Sequence, residues 1–138
     1  PSAMTRLINI GVEPFLVASA VNAILAQRLA RKVCPKCVQF KSPSKKVEKL
    51  LVGYEAEKIP YAVGCSACRG SGYSGRLGIY ELLVMDDELR DAIAGNPTIT
   101  SFRNLVTKRG MKNLRCDGFA KVADGLTTVD EILRLTGV

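Results

Sequence analysis

Four of the five cysteines fall into two Cys-x-x-Cys pairs, Cys34-Pro35-Lys36-Cys37 and Cys65-Ser66-Ala67-Cys68, separated by 27 residues. Each pair can place two sulfurs on one side of a tight loop. Two such loops facing each other supply four thiolates at the corners of a tetrahedron, the donor set of a structural zinc ion. With no coordination position left open, such an ion would brace the chain and not act on a substrate. The spacer exceeds the roughly 15–20 residues of the commonest two-knuckle pattern, so it must hold an element of its own. Two other chemistries use the same residues. Disulfides are disfavoured because no secretory signal precedes the cysteines and their number is odd. A thioredoxin-like redox pair wants a strand followed by a helix at the motif, whereas Pro35 is expected to end a helix there. The chain has no histidine, which removes His ligands, His bases and Ser-His or Cys-His nucleophile systems.

The 138 residues that position these sulfurs fit one ordinary domain, or a compact domain with a piece of a neighbour, and 47% of them are apolar, enough for a core. No apolar run approaches the roughly 20 residues needed to cross a bilayer. The net charge is +7. Between Arg28 and Lys49 the cations Arg28, Arg31, Lys32, Lys36, Lys41, Lys45, Lys46 and Lys49 face a single acid, Glu48. Such a basic stretch suits an acidic partner or an anionic membrane leaflet. Nucleic acid is not expected, since Phe40 is the only interleaved aromatic and no base-reading module is present.

In chain order, residues 2–10 predict a short helix closed by Gly11, and the near absence of a lead-in reads as a piece excised from a larger protein. Pro14 opens a second helix expected to run to about Val33, carrying Phe15, Leu16, Val17, Val21, Ile24, Leu25 and Leu29. A helix capped at Ser42-Pro43 and covering about Ser44 to Val52 fills the spacer. Residues 59–63 predict a short edge strand, and Ile79–Val84 another. Four capped helices follow: from Asp86 to about Ala94, from Thr98 or Thr100 to Gly110, from about Met111 to Ala123, and a last one opened by a capping box at Thr128-Val129-Asp130-Glu131. Gly70, Gly72 and Gly75 are expected to allow positive φ and close loop packing rather than phosphate contact. Lys32, Lys36 and Arg69 lie beside the candidate ligands, where they can offset the charge of a four-thiolate centre. Cys116 is expected to be a small buried residue and not a fifth ligand.

The segment Gln27-Arg28-Leu29-Ala30-Arg31-Lys32-Val33-Cys34-Pro35-x-Cys37, followed by Cys65-x-x-Cys68-Arg69-Gly70-x-Gly72-Tyr73-x-Gly75-Arg76-x-Gly78-Ile79-Tyr80-Glu81-Leu82-Leu83, resembles the C-terminal region of the secretion ATPases of type II secretion and type IV pilus assembly. Pro1 to Leu7 and Gly11 to Leu16 are similar to the end of that family's RecA-like core, and Gly110 to Gly118 with Gly125 to Leu133 to its C-terminal helices. The resemblance implies an α+β, mainly helical fold in three parts. These are the end of the RecA-like ATPase core with a connecting helix (1–33), a tetracysteine zinc subdomain with short strands (34–84) and a small C-terminal helical bundle (85–138).

The resemblance further implies a cytoplasmic homohexamer, peripheral at the inner membrane, that meets its own ATPase core, neighbouring subunits and inner-membrane platform proteins. ATP and Mg(II) would serve the parent only. No Gly-x-x-x-x-Gly-Lys-Ser/Thr occurs here, so the β- and γ-phosphates lack their cradle, and this piece alone is expected to hydrolyse no ATP. It would hold no catalytic residue, with Cys34, Cys37, Cys65 and Cys68 as zinc ligands. Arg28 and Arg76, which cannot lose their charge, would lie near the nucleotide or at a subunit boundary, or else pair with Glu81 or Glu13. A function of another class fits the same knuckles, a stand-alone zinc-stabilised module that binds protein or nucleic acid. Cys65-x-x-Cys68-x-Gly70-x-Gly72 also resembles the repeated unit of the DnaJ-type chaperone zinc region, but here it occurs once.

Overall fold

The computed structural model describes residues 2–95 and 98–137; Pro1, Asn96, Pro97 and Val138, the last three within the expected 85–138 bundle, lie outside them. The fold is α+β and mainly helical. In chain order the elements are α1 (Ser2–Asn9), α2 (Pro14–Ala20), β1 (Ala23–Val33), β2 (Gln39–Lys41), α3 (Lys45–Leu50) and β3 (Ile59–Tyr61), then a 3-10 turn (Ser66–Cys68), β4 (Tyr73–Val84), α4 (Asp87–Ala94), α5 (Ile99–Lys108), α6 (Leu114–Ala123) and α7 (Val129–Thr136). β1 pairs with β4, and β2 pairs with β3 in antiparallel register, Phe40 opposite Pro60.

Local chemistry accounts for the helix starts. Asp86, Thr98, Asn113 and Thr128 each accept the N–H three residues on, that of Leu89, Ser101, Cys116 and Glu131, so an orphan donor of each first turn is satisfied. α6 therefore begins at an Asn cap rather than at Met111. Ser44, not Ser42, precedes α3, without a side-chain cap bond. At the last start Glu131 does not close a capping box, because its carboxylate is turned to other partners.

The long helix expected over residues 14–33 is not formed. α2 stops at Ala20, where Arg90 donates to the Ala18 and Ser19 carbonyls, acceptors that a continuing helix would have used, and to Asn22 Oδ1 (3.1 Å). The following Ala, Leu, Gln and Arg residues are good helix formers, yet they are extended. Pairing with β4, rich in aromatic and branched residues, overrides their weak intrinsic preference. Extended backbone also presents its polar groups sideways. Val33 N–H reaches the Leu126 carbonyl (3.0 Å) and the Arg31 carbonyl accepts from Thr127 Oγ1 (2.8 Å).

The chain divides into two compact units. One comprises Pro1–Ala26 with Leu82–Lys112, and the other Gln27–Glu81 with Asn113–Val138, so β1 and β4 each contribute to both. The first unit is built on α1, α2, α4 and α5 around Met4, Val17, Leu83, Met85, Leu89, Ile93, Phe102 and Val106. The second packs Ala30, Leu51, Ile59 and Ile79 with Phe119, Val122, Val129 and Ile132. Along β4, Ile79 and Leu83 are buried while Tyr80, Leu82 and Val84 are exposed, the two-residue alternation of a half-covered strand. No helix among the described residues is long and apolar enough to cross a membrane.

Candidate metal centre

Both cysteine loops belong to the second unit and are shaped by backbone bonds. After β1, Cys37 N–H and Val38 N–H both return to the Cys34 carbonyl (3.2 and 2.9 Å), folding Cys34–Cys37 into a turn. After β3, Cys68 N–H and Gly70 N–H return to the Cys65 carbonyl (3.2 and 2.9 Å) around the 3-10 turn. Arg69 follows in the left-handed region, φ 54°, alone among the described non-glycine residues. The loops meet where Cys34 N–H donates to the Gly72 carbonyl (2.9 Å). Two glycines let the second cysteine segment fold back on itself. A Cβ on Gly64 would lie 2.5 Å from the Gly70 carbonyl oxygen, and one on Gly72 would lie 2.7 Å from the Ala62 Cβ. Gly70, Gly72 and Gly75 all have positive φ, the conformational role expected of them.

The result is a cluster in which the Sγ atoms of Cys34, Cys37, Cys65 and Cys68 all lie within 4.8 Å of one another. Cys68 Sγ is 3.8 Å from both Cys37 Sγ and Cys65 Sγ. Sulfurs held about 2.3 Å from a common centre at the tetrahedral angle stand about 3.8 Å apart, so these edges fit a four-thiolate zinc site. The cysteines are all free thiols, and the separations are far beyond a disulfide bond of about 2.05 Å. Cys34 and Cys68 are buried, and Cys37 and Cys65 half-buried.

Electrostatics favour a cation at the centre. The Cys65 N–H (3.2 Å) heads the contacts that stabilise a Cys68 thiolate; with Gly72 N–H (3.1 Å) and the neighbouring thiols it outweighs burial and holds Cys68 at about 6. Burial, joined by the adjoining cysteines and opposed by the Gly64 backbone, pushes Cys37 up to about 12. One thiolate thus forms readily, whereas several at this spacing need a positive charge among them. Lys32, Lys36 and Arg69 are exposed beside the ligand loops.

A second constellation in this unit was not apparent from sequence. The Glu131 side chain is fully buried and accepts from Arg31 N–H (3.0 Å), Nε (3.0 Å) and Nη2 (2.6 Å), and from Arg134 Nε (2.9 Å) and Nη2 (2.7 Å). Burial opposes its ionisation, but the Arg134 and Arg31 guanidiniums and the Arg31 N–H together hold its carboxyl at about 2. Arg31 also lies 4.1 Å from the centroid of the Tyr73 ring, and Tyr73 OH shares a 2.8 Å hydrogen bond with Thr128 Oγ1. The sequence marked Glu131 only as the acid of a capping box, and nothing in it pointed to Arg31.

The remaining candidates lie elsewhere. Arg28 is exposed on β1 and donates to the Leu135 carbonyl in the last turn of α7. Arg76 is exposed on β4. Cys116 is half-buried on α6, outside the sulfur cluster, and its carbonyl accepts from Tyr54 OH (2.7 Å).

Residues 1–134 match the family model described as "Type II/IV secretion system protein". The chain is 44% identical to the type II secretion system protein HxcR of Pseudomonas aeruginosa, with 98% of this chain and 26% of HxcR aligned. It is 41% identical to the type IV pilus assembly ATPase PilB of Thermus thermophilus, over 97% of this chain and 16% of that protein. It is also 41% identical to the type II secretion system protein E of P. aeruginosa, over 97% of this chain and 27% of that relative. The chain thus spans between about a sixth and about a quarter of the length of these relatives.

Proposed function

The chain belongs to the type II/IV secretion system protein family, and from that premise we propose that it is the zinc-stapled C-terminal part of a hexameric ATPase that powers type II protein secretion or type IV pilus assembly. The observation that carries the reading is the convergence of four sulfurs within 4.8 Å in a chain with relatives named as a type IV pilus assembly ATPase and type II secretion system proteins. Cys34, Cys37, Cys65 and Cys68 would hold the ion. When bound, zinc supplies a redox-inert tetrahedral cross-link with no open position.

The chain's own groups do the rest. Gly64 and Gly72 let the second cysteine segment fold back on itself, the Cys65 and Gly72 N–H groups stabilise the Cys68 thiolate, and the exposed cations beside the loops offset the remaining negative charge. ATP and Mg(II) belong to the parent motor, which works in the cytoplasm at the inner membrane against its platform proteins and neighbouring subunits. Arg28 and Arg76 face the nucleotide or a subunit boundary in that assembly. This piece alone has no phosphate-binding loop and turns over no ATP.

Elemental analysis of the reduced, undenatured protein tests the metal, with one zinc per chain expected and its loss expected in Cys34→Ser/Cys65→Ser. Absence of stoichiometric metal would remove the staple from the reading. Metal-dependent phosphate release by this chain alone would remove the division of labour.

A further inference from the structure

We infer that Glu131 is a positioning residue for the metal centre, acting from α7 through Arg31 and Tyr73 on both segments that carry the sulfur ligands. The inference rests on the zinc reading above. Arg31 lies on β1 three residues before Cys34, and Tyr73 follows Gly72, whose N–H donates to Cys68 Sγ and whose carbonyl accepts from Cys34 N–H. One guanidinium therefore touches both strands that bear on the centre: its own β1, and β4 through the Tyr73 ring at 4.1 Å. Glu131 fixes that guanidinium through Nε and Nη2 and takes the Arg31 backbone N–H as well.

The same stretch of chain holds the two strands by further bonds. Thr128 Oγ1 meets Tyr73 OH, Thr127 Oγ1 donates to the Arg31 carbonyl, and the Leu126 carbonyl accepts from Val33 N–H. Residues 126–131 thus register the end of β1, just before Cys34, against the start of β4, just after Cys68. Groups that hold metal ligands in place without touching the ion commonly alter its affinity by about 10–100-fold when removed. The coupling is reciprocal, so release of the ion must loosen α7 by the same free energy that loosening α7 takes from the ion. Arg134 provides the internal comparison: it binds the same carboxylate from α7 itself and, among the described residues, makes no hydrogen bond to β1 or β4.

The test follows zinc transfer from the loaded protein to an excess of a chromogenic chelator at neutral pH, well below the unfolding temperature. Glu131→Gln should release zinc about tenfold faster than wild type. Arg134→Gln should stay within about threefold. A second measurement needs no variant: hydrogen exchange on wild type with and without zinc, where metal removal should speed exchange in α7. Zinc bound at one per chain, with unchanged release in Glu131→Gln or unchanged exchange in α7 on metal removal, would overturn the coupling and leave the metal site standing. Equal acceleration by both variants would make the effect one of general stability and would also overturn it. If Glu131→Gln does not fold, the exchange measurement decides alone. Wild type that takes up no stoichiometric zinc defeats the metal reading itself, and the coupling with it.

Discussion

At the scale of single residues the second unit depends on groups that tolerate no neighbour and on one that needs several. Gly64 and Gly72 combine positive φ with backbone or Cβ atoms within 3 Å of where a side chain would begin. Alanine at either should cost about 2 kcal/mol or more and speed zinc release. Gly70→Ala and Gly75→Ala meet nothing within 4 Å and should cost only the roughly 1 kcal/mol of left-handed backbone, read by urea denaturation. Glu131 makes the opposite demand, since its buried carboxylate needs charged donors around it. Because folding lowers its pKa from the ordinary 4.5 to about 2, its ionised form stabilises the fold fully above about pH 4.5, and that contribution drains away as the pH falls toward 2. The advantage of wild type over Glu131→Gln, both stripped of metal, should be at most about 3 kcal/mol at neutral pH and should shrink below pH 4.5. A gap constant from pH 6 to pH 3 would contradict the assignment.

At the scale of elements, packing decides between intrinsic preferences. Gly118 lies within α6, where alanine is the better helix former by up to about 1 kcal/mol. A Cβ there would stand 2.7 Å from Ile132 Cγ2 on α7, and overpacking of this kind costs about 1–3 kcal/mol. Gly118→Ala should therefore lower stability by about 1 kcal/mol in chemical denaturation, against helix propensity. The same competition separates the elements that were readable in sequence from those that were not. Asp86, Thr98 and Thr128 announced α4, α5 and α7 because a cap is a local device. The convergence of the four cysteines was readable because two Cys-x-x-Cys pairs constrain it so tightly. β1 was hidden, since Ala, Leu, Gln and Arg prefer helix and only β4, some fifty residues later, makes them a strand. β2 had no signal beyond three residues and needed β3 to exist. The Arg31–Glu131 contact joins residues 100 apart, which local pattern cannot register.

At the scale of the whole molecule the two compact units draw on different sources of stability. The first has an aliphatic and aromatic core of its own, from Met4 to Val106. The second adds the sulfur cluster to a core of comparable size, from Ala30 to Ile132. Chelation under reducing conditions should therefore abolish exchange protection in β2, β3 and both cysteine loops while α4 and α5 keep theirs; uniform loss across the chain would show a single cooperative block. One further property follows from the alternation along β4. Tyr80, Leu82 and Val84 stand in water at 42%, 53% and 61% exposure, in a strand of 12 residues. Oily side chains in file on an extended backbone invite chains to adhere to one another. In dilute buffer the polypeptide should sediment faster as its concentration rises, and Leu82→Lys should suppress that drift without disturbing the fold.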